Sequence, residues 1–184
     1  VEFIDTLRSI STDIEVIPGH AWTSFFGILG SKSGFNSVDE CFQDRTKYIH
    51  AIESGISSDP AMNWRLSNLD KYNIVSFSDP HSSHPWRLGR EATIFDLKEL
   101  TYKNILSAIR TGVGLKGTIE TPPEYGIYHF DGHRNCNVQR TPEETRKLGK
   151  QCPKCQQELT IGVEYRVEEL ADRPVGYVKP NAPY

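Results

Sequence analysis

Short apolar runs separated by polar segments characterise the first half of the chain. The runs at 14–17, 48–52 and 74–77 are rich in β-branched and aromatic residues, and each leads into a polar or glycine-containing turn. Runs of this length and composition predict buried β-strands. We therefore expect at least three short strands before residue 80.

Helix signals fall between and after these runs. A capping box begins at Ser37. Asp59 precedes Pro60, which is the usual order of an N-cap and a first-turn proline. Thr101 precedes an apolar face with helical spacing that ends at Gly112. Strands alternating with helices predict an α/β fold, with βα units around a parallel sheet or barrel.

Each predicted strand is followed by a residue that can carry chemistry, namely His20, Glu53, Asp79 or His81. In such folds the carboxyl ends of the strands gather at one face, where sites are built. Asp79 and His81 are alternate residues of an extended segment, so they can share one cation. Carboxylate and imidazole ligands suit zinc, manganese or iron. By spacing alone, a metal site and a polar surface loop both stay open.

Two arginines follow this pair in the stretch SFSDPHSSHPWRLGRE. Arg87 and Arg90 can hold phosphate oxygens, bidentately where the geometry permits. His84 lies between the Asp79–His81 pair and the two arginines, and it is a candidate for a supporting role in the site. The stretch therefore combines groups for a cation with groups for an anion.

The pattern changes after Gly112, and we divide the chain there. Residues 1–112 form the α/β part, 113–130 predict a connecting hairpin, and 131–170 form a compact polar unit. Residues 171–184 contain three prolines and little periodicity, which is typical of a linker or tail.

The polar unit carries two ligand pairs of x2 spacing, His133 with Cys136 and Cys152 with Cys155, with 15 residues between them. This spacing matches the template of a structural zinc site, because two tight turns supply the four corners of a tetrahedron. His129 is a weaker competitor for the histidine position, since it is not in such a turn. The alternative is three chance thiols and a surface histidine.

Charge and cysteine content limit the class of protein. The chain has 21 Lys+Arg against 24 Asp+Glu and a formal net charge of −3, which excludes a generally basic nucleic-acid coat. Locally, from His133 to Cys155, six Lys or Arg face two Glu. That surface suits DNA contact, although simple solvation of the charges stays open.

No apolar run approaches the roughly 20 residues of a membrane span. Three of the four cysteines lie close together in sequence, which fits a metal site in a reducing compartment better than a disulfide framework. We therefore expect a cytoplasmic protein without a membrane partner. Cys41 stands apart, and we interpret it as an ordinary helix residue.

The order GHAW, IESGISSD and SFSDPHSSHPWRLGRE, followed by a cysteine-type zinc unit, resembles the polymerase-and-histidinol-phosphatase (PHP) family of metal-dependent phosphoesterases. Within that family it is most similar to endonuclease Q enzymes, which nick DNA beside deaminated bases and abasic sites. The resemblance implies the later strands of a PHP-type β/α barrel, a connecting hairpin and a zinc-binding unit. These cover most of the chain.

The resemblance also implies roles for individual residues. His20, Asp79 and His81 would hold Zn²⁺, Mn²⁺ or Mg²⁺, and Asp79, Arg87 and Arg90 would act in catalysis. Glu53 ends a matching strand and would either bind metal or buttress the site, and His84 is a further supporting candidate. The zinc unit would hold a structural Zn²⁺ through His133, although relatives usually have a cysteine pair in that turn.

Family enzymes begin with a strand carrying His-x-His, which does not occur before His20. We therefore expect an upstream half of the barrel in a longer, full-length protein, and weak or absent activity from this chain alone. Three functions stay open: a portion of a metal-dependent DNA endonuclease, a phosphoesterase of small phosphate monoesters, and a non-catalytic zinc-containing nucleic-acid-binding fragment. In the first, a metal-activated water would attack the phosphodiester.

Overall fold

The computed structural model describes residues 1–32 and 34–182. The helices are α1 (Glu2–Ile10), α2 (Val38–Phe42), α3 (Pro60–Trp64), α4 (Tyr102–Thr111), α5 (Pro142–Leu148) and α6 (Val163–Leu170). The strands are β1 (Ala51–Glu53), β2 (Asn73–Val75), β3 (Ala92–Phe95), β4 (Leu115–Ile119), β5 (Asp131–His133) and β6 (Val138–Arg140). Short 3-10 turns lie at Gly55–Ser57, Pro85–Arg87, Pro123–Tyr125 and Arg134–Cys136, among others.

The strands form two-stranded sheets. β1 and β2 are parallel, and Glu53 lies opposite Val75 at their carboxyl ends. β3 and β4 are antiparallel with an irregularity at Ile94, and β5 and β6 are antiparallel. Over residues 1–32 and 34–182 these sheets do not close into a barrel. The fold is therefore mixed α/β with small sheets.

Two predictions about strands are wrong. The apolar run 14–17 forms no strand, although the Pro18 carbonyl accepts a hydrogen bond from Glu53 N at 3.0 Å. The run is apolar because Val16 and Ile17 pack against two separate core clusters. The hairpin predicted within 113–130 is also wrong, because β4 pairs with β3 across the intervening α4.

The helix caps follow the sequence closely. The side chains of Ser37, Asp59 and Thr101 each accept a backbone hydrogen bond at the start of a helix. Gly112 ends α4 with a φ of 76°, a conformation that favours glycine. Thr141 begins α5 with a complete capping box.

The main core joins the two ends of the chain. Ile4 of α1, Trp22, Ile52 of β1 and both Val163 and Val167 of α6 are buried in one cluster. A smaller cluster packs α4 against β1 and β2. Because α6 follows the cysteine-rich segment (residues 133–155) in sequence, its burial fixes that segment onto the α/β part. Within the described part of the chain, no helix has the length and apolar character needed to cross a membrane.

Candidate active site and metal centre

Glu53 holds the segment that carries His20. Its carboxylate accepts a hydrogen bond from the backbone N–H of His20 at 2.6 Å, and its backbone carbonyl accepts one from Ala21 N at 2.9 Å. Burial raises the pKa of Glu53, whereas the His20 N–H lowers it. The residue at the end of β1 therefore positions the histidine, rather than pointing into solvent.

Three neighbouring backbone positions adopt left-handed conformations. His20 has a φ of 32°, Asp79 of 41° and Gly55 of 54°. A Cβ on Gly55 would lie 3.2 Å from the His20 Cβ, a tight contact that adds to the conformational preference for glycine. Left-handed non-glycine residues are uncommon and concentrate at functional sites. The backbone strain at His20 and Asp79 therefore supports the prediction that both belong to a functional site.

A cleft of about 510 Å³ opens beside the carboxyl ends of β1 and β2. Its lining includes four predicted site residues, His20, Asp79, His81 and Arg90. The rest of the lining is mostly apolar and includes Phe26, Ile127 and Tyr128. Polar groups that converge on a largely apolar cleft are the usual arrangement of a ligand site.

His20, Asp79 and His81 carry side chains that can bind a cation, but their ligand atoms do not form a compact cluster. Asp79 Oδ2 lies 3.1 Å from His81 Nε2, and both side chains are largely exposed. His20 Nδ1 is buried and has no hydrogen-bond partner among the described residues, which suits a nitrogen that binds a ligand. These three residues do not form a group whose ligand atoms all lie within 4.8 Å, within the residues that the structure describes.

The other predicted residues occupy different positions. Arg90 donates from Nε to the Ser78 carbonyl at 3.0 Å and also lines the cleft. Arg87 and His84 lie on the same loop but outside the lining of the cleft. His84 stacks on Trp86. The loop therefore presents Arg90 to the cleft, whereas Arg87 lies outside its lining.

The carboxyl groups of buried Glu91 and half-buried Glu120 meet at Ser76, the residue after β2, and this pair was not predicted from the sequence. Ser76 Oγ is 3.1 Å from Glu91 Oε2 and 3.0 Å from Glu120 Oε2. One hydroxyl proton serves only one acceptor, so the second contact needs a proton on a carboxyl group. Burial raises the pKa of Glu120 to about 8, and its hydrogen bond with Glu91 acts in the same direction. The pair therefore holds a proton at neutral pH.

The second site is a compact metal-type cluster. The ligand atoms of His133, Cys136, Cys152 and Cys155 all lie within 4.8 Å of one another. His133 ends β5, and a 3-10 turn carries the chain to Cys136. His129, the weaker competitor, lies outside this cluster. It is buried, and its Nε2 is 3.8 Å from Glu164 Oε2. The four residues predicted from the x2 spacing are therefore those that the fold brings together, and they suit a tetrahedral cation.

Proton sharing among the thiols is consistent with this crowding. Burial alone would raise the pKa of Cys152, but the backbone N–H groups of Cys155 and Lys154, with the His133 side chain, lower it to about 6. The hydrogen bond with Cys155 is the main reason that the pKa of Cys136 rises to about 11. A divalent cation would replace these protons, because thiolates are the metal-binding form.

Half of the basic residues of the cysteine-rich segment are engaged within the protein. Arg140 donates to the Gly149 carbonyl at 2.8 Å, Arg146 pairs with Glu168, and Lys150 lies over the Tyr165 ring. The remaining three, Arg134, Lys147 and Lys154, have no side-chain partner among the described residues. They are therefore the charges available to a polyanion.

In structure, the chain is similar to lesion-specific DNA endonucleases. The first neighbour is the endonuclease Q of Pyrococcus furiosus, with a TM-score of 0.81 and 29% identity, covering 99% of this chain and 44% of that one. The second is an endonuclease Q in complex with a 27-mer duplex that carries an abasic lesion at the active site. Its TM-score is 0.83 at 30% identity, over 100% of this chain and 45% of that one. The chain thus has the fold of part of endonuclease Q.

Two curated proteins are similar in sequence. One, an uncharacterized protein of Methanocaldococcus jannaschii, is 30% identical over 168 residues, which are 89% of this chain and 20% of that protein. The other, the uncharacterized protein YqxK of Bacillus subtilis, is 27% identical over 160 residues, 85% of this chain and 39% of that protein. The chain therefore spans less than half of these relatives. No protein-family model matches it.

Proposed function

We propose that the chain is a portion of a metal-dependent DNA endonuclease that hydrolyses a phosphodiester beside deaminated bases or abasic sites. The observation that carries this proposal is the likeness of the whole chain to endonuclease Q, together with a cleft that His20, Asp79, His81 and Arg90 all line. The resemblance of the sequence to the PHP family agrees with it. Because the chain spans less than half of the endonuclease Q neighbours, further ligands would come from the parts of that fold outside the match.

His20, Asp79 and His81 would hold the catalytic Zn²⁺, Mn²⁺ or Mg²⁺, which when bound lowers the pKa of water and polarises the phosphate. Arg90 would neutralise charge on the phosphoryl oxygens from its place in the cleft. Glu53 keeps His20 in position through the backbone hydrogen bond. The apolar lining would exclude bulk water and receive a nucleotide turned out of the duplex.

The cysteine-rich segment would hold Zn²⁺ through His133, Cys136, Cys152 and Cys155. Its free basic side chains would contact DNA phosphates on either side of the lesion. A phosphoesterase acting on a small monoester would gain nothing from these charges, so a polyanionic substrate is favoured.

A second function has a specific observation in its favour. The ligand atoms of the cysteine cluster lie close enough together to bind one cation, whereas those of the residues in the cleft do not. A zinc-containing nucleic-acid-binding fragment without catalysis accounts for that difference. The metal content of the purified chain distinguishes the two functions.

We would measure zinc and manganese per chain in the wild type and in Asp79→Ala, Cys152→Ser and Cys41→Ser. The endonuclease proposal predicts that Cys152→Ser loses about one Zn²⁺ and that Asp79→Ala loses a second metal ion. Cys41→Ser is the matched control, because Cys41 lies in α2 outside both sites, and it should lose neither. A wild type with a single metal that only Cys152→Ser removes would favour the non-catalytic fragment.

A further inference from the structure

Outside the cleft, the chain exposes a flat aromatic pair. The rings of His84 and Trp86 are stacked, with centroids 4.4 Å apart and an angle of 7° between their planes. Trp86 nevertheless keeps 70% of its surface exposed. One face of the indole is therefore supported by the imidazole, while the other is open to solvent.

The loop that carries this pair is fixed at its base. Ser78 Oγ donates to the Glu91 carbonyl at 2.9 Å and accepts from Gly89 N at 2.8 Å. The Ser78 carbonyl accepts from Arg90 Nε at 3.0 Å. Pro85 begins the 3-10 turn Pro85–Arg87 and restricts its backbone. A ligand that stacks on Trp86 would therefore find the ring already in place, which lowers the entropic cost of binding.

The charge beside the ring suits a nucleotide. Arg87 follows Trp86 in the same turn, and its guanidinium makes no hydrogen bond or ion pair within residues 1–32 and 34–182. An aromatic plane beside a free guanidinium can take a base on the first and its phosphate on the second. An apolar peptide would leave that guanidinium unused.

We propose that Trp86 is a stacking platform for a nucleobase of the DNA strand next to the lesion, with Arg87 on the adjoining phosphate. The inference rests on the proposed function, since it assumes a DNA substrate. The platform and the cleft share one loop: Asp79 and His81 line the cleft, whereas Trp86 and Arg87, a few residues later, do not. The platform would hold an unpaired or displaced base outside the cleft.

The protein carries its own optical reporter for this contact. Of its three tryptophans, Trp22 and Trp64 are buried and Trp86 is exposed. We would titrate the chain with an oligothymidine of about 12 nucleotides while recording tryptophan fluorescence and the anisotropy of the labelled oligonucleotide together. Quenching that saturates with the anisotropy change is expected, because a stacked base quenches the indole.

Variants distinguish the contribution of stacking on Trp86 from oligonucleotide binding by the rest of the protein. Trp86→Ala should weaken binding about tenfold, and Trp86→Phe should keep most of it because a planar ring remains. Leu100→Ala, which trims another exposed apolar side chain outside this loop, should change nothing. Arg87→Ala should lower the slope of log affinity against log salt by about one. Circular dichroism would verify that each variant is folded.

Three results would overturn the platform. Normal oligonucleotide binding by Trp86→Ala would show that the Trp86 ring does not stack on a base, while leaving the proposed function intact. Quenching by anionic lipid vesicles but not by the oligonucleotide would assign the ring to a membrane surface. No anisotropy change with the wild type, on either single strand or lesion duplex, would overturn the proposed function and the platform together.

Discussion

The Glu53 carboxylate accepts the backbone N–H of His20 at 2.6 Å, and His20 has a left-handed φ of 32°. A glutamate at the end of β1 thus fixes the conformation of a residue 33 positions earlier. Gly19, the residue before His20, lies so close to this glutamate that a Cβ added to it would be 3.2 Å from Glu53 Oε2. The candidate metal site therefore depends on a side chain that need not touch the metal.

Glu53→Ala should destabilise the protein and weaken metal binding in the cleft. Removing the acceptor leaves the His20 N–H unsatisfied in a part-buried position, which costs about 1–3 kcal/mol. Glu53→Gln keeps an acceptor oxygen and should lose less. Urea unfolding and Mn²⁺ calorimetry would measure the two effects. Glu158→Ala, at an exposed surface ion pair, is the control and should change neither.

Gly55→Ala should disturb the cleft more than alanine at another left-handed glycine. Gly55 and Gly176 have φ values of 54° and 82°, so both substitutions carry backbone strain of about 1 kcal/mol. Only at Gly55 does the new Cβ meet the His20 Cβ, at 3.2 Å. We expect Gly55→Ala alone to reduce Mn²⁺ affinity. Equal Mn²⁺ affinity in the two variants would contradict a metal site that depends on the position of His20.

The Glu91–Glu120 pair predicts a pH-dependent stability. The pKa of Glu120 rises from 4.5 to about 8, first because of burial and then because of the hydrogen bond with Glu91. Between these values the folded state binds a proton that the unfolded state has released. The free energy of unfolding should therefore fall as pH rises from about 4.5 to 8, by at most about 1.4 kcal/mol per pH unit, and level off above that range.

Glu120→Gln removes the titration while keeping a hydrogen-bonding side chain. Its unfolding free energy should therefore vary less between pH 5.5 and 8.5 than that of the wild type. Urea unfolding at several pH values would measure the difference. A wild-type curve that rises over this interval, or a slope that Glu120→Gln leaves unchanged, would contradict a shared proton.

Zinc removal should destabilise the cysteine-rich segment. At a free Zn²⁺ concentration a hundred times Kd, binding contributes about 2.7 kcal/mol to stability. Chelation should therefore lower the Tm of the wild type. The Tm of Cys152→Ser should be low already and respond little, and Cys41→Ser should behave like the wild type. A wild-type Tm that does not respond to a strong chelator would argue against a structural zinc.

Local features were predictable from the sequence. The cysteine cluster follows from two short turns, whose geometry depends on neighbouring residues, and the helix caps follow from single side chains. Asp79 and His81 approach each other for the same reason, being two residues apart. Their convergence with His20 at one cleft was an expectation from strand order and from the family resemblance.

Long-range relationships were not predictable. The strand β3 is short and mostly part-buried, so it lacks a period of two, and its partner β4 lies beyond a helix. Glu91 follows a polar loop, and nothing local indicates that it meets Glu120 through Ser76. The run 14–17 has the composition of a strand but makes its contacts through side chains.

The most direct test compares the affinity of the chain for a duplex with one abasic site and for the same duplex intact, by anisotropy in the presence of Mn²⁺. An abasic nucleotide leaves the stack at less cost, so we predict at least about tenfold tighter binding of the lesion duplex. Asp79→Ala should reduce this preference. Equal affinity of the wild type for the two duplexes would contradict a lesion-specific nuclease site.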